Sequence, residues 1–288
     1  MLDNLGNDGL SEAPLTLGSI GLHSWTETTK NKMAKILVTG SSGGLGLMTG
    51  RLLAEEGHRV VLHARSEARA EAVRAALPQA EAVVVGDLST LAAMRDVADQ
   101  ANEQGRFDAV IHNVAIGYRE GRRVETADGL SQLWAVNVLA PYVLTALMHR
   151  PDRLVYLSSG MHTGGDSSLD DLQWSRRRWN GSQAYADTKF HDVLLAFGVA
   201  RRWPDVLSNA LTPGWVPTRM GGPGAPDDLE QGHLTQAWLA VSEDPGARVT
   251  GCYFYHQQLA AVNPAARDSE LQDRLLDYCR DLSGIALA

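Results

Sequence analysis

Tyr185 and Lys189 lie four positions apart in the stretch Tyr185-Ala186-Asp187-Thr188-Lys189. On a helix that spacing puts both side chains on one face, about one turn apart. An ammonium beside a phenol stabilises the phenolate and draws its pKa down from the ordinary ~10 towards neutrality. Such a pair is a general acid/base that can pass a proton at physiological pH. The same spacing also describes two unconnected residues on a solvated helix, so composition bears on the choice. The chain carries twenty-two arginines and only four lysines: Lys30, Lys32, Lys35 and Lys189. One late lysine in so arginine-rich a chain falls a single turn after a tyrosine, and a compact ammonium does not substitute for a planar guanidinium.

A second group of residues could hold a phosphate. Thr39-Gly40-Ser41-Ser42-Gly43-Gly44-Leu45-Gly46 separates an apolar strand, Ile36-Leu37-Val38, from a helix. Glycine lets the backbone turn tightly and approach a pyrophosphate, and the helix start offers free N–H groups with a positive dipole end. Gly40, Ser42, Gly43, Gly44, Leu45 and Gly46 are therefore candidate cofactor contacts. A protein that reads the ribose of NAD usually ends its second strand with a carboxylate. Here that position reads Leu62-His63-Ala64-Arg65-Ser66, with no acid before Glu67. Arg65 could fork onto a 2′-phosphate, which favours NADP(H) over NAD(H); equally, it could be the solvated start of the next helix.

The elements that must carry these residues alternate. Strands are expected near 36–38, 60–62, 82–85, 109–111, 154–157, 206–211 and 253–255. Helices are expected after the glycine turn, then near 67–77, 91–104, 129–148, 183–202, 229–241 and 268–281. The alternation predicts an α/β fold, a doubly wound parallel seven-stranded sheet with helices on both faces. Residues 1–32, polar and broken by glycines, are expected to be a disordered extension, with Met33 a candidate natural start. Residues 33–288 then form a single domain.

With 44% hydrophobic residues the chain can bury a core, and its net charge of −8 invites neither nucleic acid nor an anionic membrane. Cys252 and Cys279 have neither metal-ligand nor disulfide-framework spacing, and no apolar run reaches membrane-spanning length. No secretory signal is read at the N-terminus, so a cytoplasmic setting is expected; His233, His256 and the other histidines show no ligand spacing, so no metal is expected.

Taken in order, these motifs resemble the short-chain dehydrogenase/reductase family, in the subgroup with a T-G-x-x-x-G-x-G turn, over residues 36–256. The resemblance implies a Rossmann-type fold and a nicotinamide cofactor. It further implies that Asp87-Leu88 flank the adenine. His112-Asn113-Val114-Ala115 stands where the family has N-N-A-G, keeping Asn113 but setting Ala115 against the cofactor floor. Pro213-Gly214-Trp215-Val216-Pro217-Thr218 resembles the P-G-x-x-x-T segment, which implies that Pro213, Gly214, Val216 and Thr218 hold the carboxamide. By the same resemblance Ser159 binds the substrate oxygen and Tyr185 protonates it. Lys189 supports the phenolate and the ribose, and the main chain of Asn137 binds a relay water. A small-molecule carbonyl or alcohol substrate and a homodimer or homotetramer are implied as well.

The chain departs from the family where Ser159 and Tyr185 stand 26 residues apart, about a dozen more than usual. The extra segment, within 160–184, resembles insertions in retinol dehydrogenases and the WW-domain oxidoreductase. Trp174 and Trp179 could wall an apolar substrate or anchor the loop to the sheet, and Arg176-Arg177-Arg178 reads as a solvated face rather than a carboxylate clamp. Residues 219–230, rich in glycine and proline, are expected to cover the substrate as a lid. The resulting expectation is an NADP(H)-dependent oxidoreductase reducing an apolar aldehyde or ketone. Two alternatives stay open: an inactive NADP-sensing regulator on the same fold, and a sugar-nucleotide epimerase or dehydratase.

Overall fold

The computed structural model describes residues 33–287, so the expectations for residues 1–32 lie outside the described residues. Seven short apolar strands run parallel: β1 (Lys35–Val38), β2 (Arg59–Ala64), β3 (Ala82–Val85), β4 (Ala109–His112), β5 (Arg153–Leu157), β6 (Leu207–Thr212) and β7 (Tyr253–Tyr255). Their order in the sheet is 3-2-1-4-5-6-7. The strand order therefore reverses between β1 and β4, the switch point where such sheets open a crevice beyond the strand ends. Both faces of the sheet are covered. Leu37, Val61, Val110 and Leu154 pack under one helix layer with Val97, Val143, Phe190 and Leu275. Their sequence neighbours Ile36, Val60, Ile111 and Val155 pack under the other with Leu53, Val73 and Trp238. Burial on both faces explains why the strands read as continuous apolar runs.

The helices of the second layer are α1 (Gly44–Glu55), α2 (Glu67–Ala76) and α7 (Leu234–Val241). The first layer holds α3 (Leu91–Glu103), α5 (Ala140–Leu147), α6 (Gly181–Arg202) and α8 (Ser269–Ser283). Three expectations need correction. An eighth strand, β8 (Gln258–Leu259), pairs antiparallel with β7. Its two-residue turn is His256-Gln257, both at positive φ (46° and 62°), where Asn-Gly is the usual choice, so the hairpin left no turn signal. The helix expected at 129–148 is broken into α4 (Gln132–Trp134), a π turn at Ala135–Leu139, and α5. Pro141 is the cause: it has no N–H to give the carbonyl of Asn137 four residues back, and its ring would clash there. The helix expected from 229 begins as a single 3₁₀ turn, Gln231–His233.

The segment 160–184 is tied to α6 through one carboxylate. Asp187, 3% exposed, accepts from the Asp166 N–H at 2.9 Å, from Trp174 Nε1 at 3.1 Å and from Gln183 Nε2 at 2.8 Å. Arg177 reaches it at 3.1 Å while stacking 3.9 Å over the Trp174 ring. Arg177 also pairs with Asp166 and Asp171, so of the arginine triplet only Arg176 and Arg178 match a solvated face. Trp179 donates to the Glu120 carbonyl at 2.7 Å. Both tryptophans thus anchor the loop, to α6 and to the chain after β4 rather than to the sheet. Replacing Asp187 with alanine should strand the buried Trp174 N–H and cost about 2 kcal/mol or more. Urea unfolding checks this as a lower midpoint at an unchanged slope.

Candidate active site

Helix α6 presents the Tyr/Lys pair. The side chain of Asn180 caps its start by accepting from the Gln183 N–H, and the helix closes at Arg202, two residues before Pro204. Residues 184–200 are buried all round, because the helix lies between the sheet, α8 and the 160–184 segment. Lys189 Nζ sits 5.6 Å from the centre of the Tyr185 ring. It donates to the Leu157 carbonyl at 2.7 Å and to Asp192 Oδ2 at 2.8 Å. The ammonium is thus fixed against the end of β5. Ser158, the last residue before the candidate serine, donates to the Lys189 carbonyl at 2.7 Å and locks strand to helix.

Ser159 and Tyr185 line one cavity, although 26 residues separate them, and Ser159 Oγ accepts from the Met161 N–H at 3.2 Å. The carbonyl of Ser159 is held by Tyr253 Oη at 3.1 Å and by His162 Nδ1 at 2.7 Å. Because Asn263 N–H donates to His162 Nε2 at 3.2 Å, His162 is the neutral Nδ1–H tautomer. The pKa of Tyr185 does not fall, contrary to expectation. Burial of the phenol raises it and outweighs the lowering by Lys189, and Asp192 adds a further rise. The phenol lines a cavity of about 660 Å³ together with Leu45, Tyr118, Ser159, Pro213 and Met220, a mainly apolar wall. Met220 Sδ lies 3.8 Å from the phenol oxygen. Gly214, Val216 and Thr218 line the same space, whereas Trp174 and Trp179 do not.

Asn137 lies behind the pair, 1% exposed, in the π turn. Its amide accepts from the Ile116 N–H at 2.7 Å and donates to the Ile116 carbonyl and to Thr188 Oγ1 at 3.1 and 3.0 Å. The side chain is therefore spent on structure. The main-chain carbonyl, denied its α-helical donor by Pro141, is the part that could hold a water.

The glycine turn is built for close approach. A Cβ on Gly40 would meet Val114 Cα at 2.7 Å, and one on Gly46 would meet Asn113 Nδ2 at 2.5 Å. Asn113 Nδ2 donates to the carbonyls of Thr39 and Gly40, bracing the turn from β4. Open space surrounds Gly43 and Gly44, no side chain caps α1 and no acid stands in its first turn. These are the features an anionic phosphate requires. Arg65 is exposed just beyond β2; Asp87 is exposed beyond β3, while Leu88 is buried in the core. Ser42 and Ala115 are half-buried beside the turn and the β4 loop.

His63, Asp192, Asp227 and Met220 complete the site, and the sequence alone did not single them out for it. Asp227 accepts from the Trp215 N–H at 2.6 Å, and its own N–H donates to the Trp215 carbonyl at 3.1 Å. That ring fastens the 219–230 segment to the Pro213-Gly214 loop. His63 joins the glycine turn to β3: Gly40 N–H donates to Nδ1 at 3.0 Å, so Nε2 carries the proton and donates to the Gly86 carbonyl at 2.9 Å.

A parallel sheet whose strand order reverses beside a glycine turn, with a phenol and an ammonium on one helix, belongs to the α/β proteins that bind ligands at a switch point. The family model described as short chain dehydrogenase matches residues 34–156. An uncharacterized oxidoreductase of Emericella nidulans is 43% identical over 259 residues, 88% of this chain and 99% of that one. Retinol dehydrogenase 13 of Homo sapiens is 30% identical over 285 residues, 87% of this chain and 84% of its own. Among solved structures, an uncharacterized protein from Mycobacterium paratuberculosis superposes with a TM-score of 0.75 at 24% identity, over 91% of this chain and all of that one. The NADPH-bound carbonyl reductase from chicken fatty liver gives 0.60 at 19% identity, over 80% and 99%. The chain belongs to the short-chain dehydrogenase family of oxidoreductases. Among the described residues no helix is long and apolar enough to cross a membrane.

Burial lowers the pKa of His63 below its ordinary value. Its unfolded form binds a proton near pH 6.5 and its folded form resists it, so the imidazole adds stability above that pH and loses it as pH falls. His63→Leu should reduce the protons taken up on unfolding near pH 6 by up to about one, read from the slope of unfolding free energy against pH.

Proposed function

We propose that this chain is an NADP(H)-dependent oxidoreductase that interconverts a carbonyl and an alcohol, acting as the reductase of an apolar aldehyde or ketone. One observation carries the reading: the Tyr185 phenol opens into an apolar cavity that Ser159 also lines, with the Lys189 ammonium directly behind. When bound, a reduced nicotinamide supplies the hydride. Ser159 Oγ holds the substrate oxygen, and Tyr185 gives it a proton as charge develops there. Lys189 stabilises the resulting phenolate, and a water on the Asn137 carbonyl returns the proton. The N–H groups at the start of α1, at Gly43, Gly44 and Leu45, would hold the phosphates. Asp87, Leu88, Asn113 and Ala115 would flank the adenine and the ring floor, while Pro213, Gly214, Val216 and Thr218 would hold the carboxamide.

Arg65, exposed beyond β2 with no carboxylate between it and the strand, suits a 2′-phosphate and supports NADP(H) over NAD(H). The NADPH named for the chicken carbonyl reductase and the substrate named for the retinol dehydrogenases agree with this reading without extending to this chain. Residues 219–230 act as the lid: Met220 seals the phenol from above, and Asp227 ties the segment to the nicotinamide loop. Apolar substrates follow from that wall.

The test is a panel of aldehydes and ketones scored by loss of NADPH absorbance; no oxidation across the panel would remove the activity. Tyr185→Phe should cut kcat by about 10²-fold or more while NADPH still binds by fluorescence. Arg65→Ala should raise the KM for NADPH about tenfold and leave that for NADH little changed, and equal losses would deny the 2′-phosphate contact.

A further inference from the structure

One charged side chain in the site has no part in the scheme above. Asp192 is 2% exposed, one turn beyond Lys189 on α6, with its carboxylate 2.8 Å from Nζ. We propose that Asp192 is a positioning residue for the proton step: it anchors the Lys189 ammonium and offsets its charge, so that Tyr185 stands as a phenol ready to give a proton. The inference rests on the oxidoreductase reading and assigns the phenol the protonation state that the reduction step requires.

Two charges this deeply buried are not screened by water or salt, so their balance acts directly on the phenol. Alone, an ammonium 5.6 Å from the ring would favour the phenolate. Paired with a carboxylate, it reaches the ring as a dipole, and its pull is largely cancelled. The other groups around the pair leave this balance intact. From β5 come Tyr156, Ser158 and Ser159; from β4 comes His112, which burial holds neutral with a pKa near 3. From β7 comes Tyr253, from the chain after β4 Tyr118 with the exposed Arg119 over its ring, and from the lid Asp227. On another side of α6, Asp187 and Arg177 neutralise each other. Lys189 and Asp192 are thus the two charges buried beside the phenol. Burial pushes the Asp192 carboxyl up while the ammonium 2.8 Å away holds it down, and the two meet as an ion pair.

Asparagine at 192 would keep an oxygen for Nζ and remove only the charge. The full-length protein is labelled at the tyrosine ring Cζ and titrated by NMR without substrate or cofactor, with Tyr185→Phe assigning the resonance. In Asp192→Asn the Tyr185 midpoint should fall by about one pH unit or more, while Asp192→Glu should titrate as the wild type. With a carbonyl from the panel, the alkaline limb of kcat/KM for reduction should move down by the same shift, because reduction needs the protonated phenol. An unmoved Tyr185 midpoint in a folded Asp192→Asn protein overturns the proposal. Asp192→Ser is made alongside; if neither neutral variant folds, the carboxylate only holds the fold, and the proposal is equally overturned. A moved midpoint with no turnover in the wild type would sink the oxidoreductase reading instead, and the electrostatic role of Asp192 would survive it.

Discussion

An ammonium taken out of water must be held, and the rest of the site is arranged around holding one. Lys189 is 2% exposed, and an unpaired charge at such depth costs about several kcal/mol. It is held by the Leu157 carbonyl at the end of β5 and by Asp192 on its own helix. The first contact requires strand and helix to meet in one register, which Ser158 secures by bonding the Lys189 carbonyl. Once β5 and α6 are locked, Ser159 follows directly at the strand end, and Tyr185 follows one turn back along the helix. The juxtaposition of Ser159 and Tyr185 is a consequence of seating the lysine.

The long segment between Ser159 and Tyr185 could have loosened that geometry. It does not, because its charged and aromatic residues converge on Asp187, a neighbour of the pair on α6. Trp174, Arg177 and the Asp166 backbone all close on that carboxylate. Trp174 then packs with Leu133, Ala184 and Tyr185 in one small apolar cluster. The loop thus buttresses the phenol from behind, while the cavity in front is walled by Pro213, Val216 and Met220. What the extra residues supply here is chiefly stiffness near the phenol, and only the ends of the segment, Gly160, Met161 and Ser182, reach the cavity wall.

Much of this was legible in the sequence, for physical reasons that can be named. The strands are short apolar runs between helical patterns, and their order along the chain is nearly their order in space. The glycine turn declares itself because Gly40 and Gly46 leave no room for a Cβ. What could not be read falls into two kinds. Turn chemistry failed at His256-Gln257, which adopt backbone angles that neither residue favours, so β8 went unseen. Long-range polar pairing failed as well: His63 reads as a strand residue until Gly40 and Gly86 are seen on its two nitrogens. The π turn was within reach, since Pro141 four residues after Asn137 already forbids an α-helical bond there.

The acidity of the phenol is the instructive error. Spacing on a helix announces a lysine beside a tyrosine, and from that neighbour alone the phenol should become more acidic. Spacing is silent about how far the ring is withdrawn from water, and about a carboxylate one turn further along. Both act in the opposite sense, and in the folded chain they prevail: the pKa of Tyr185 rises. Two residues can therefore stand in the expected places while burial outweighs the effect of one on the other and a third, Asp192, weakens it further. A shared motif fixes which groups meet; burial and the charges around it fix how acidic the phenol is.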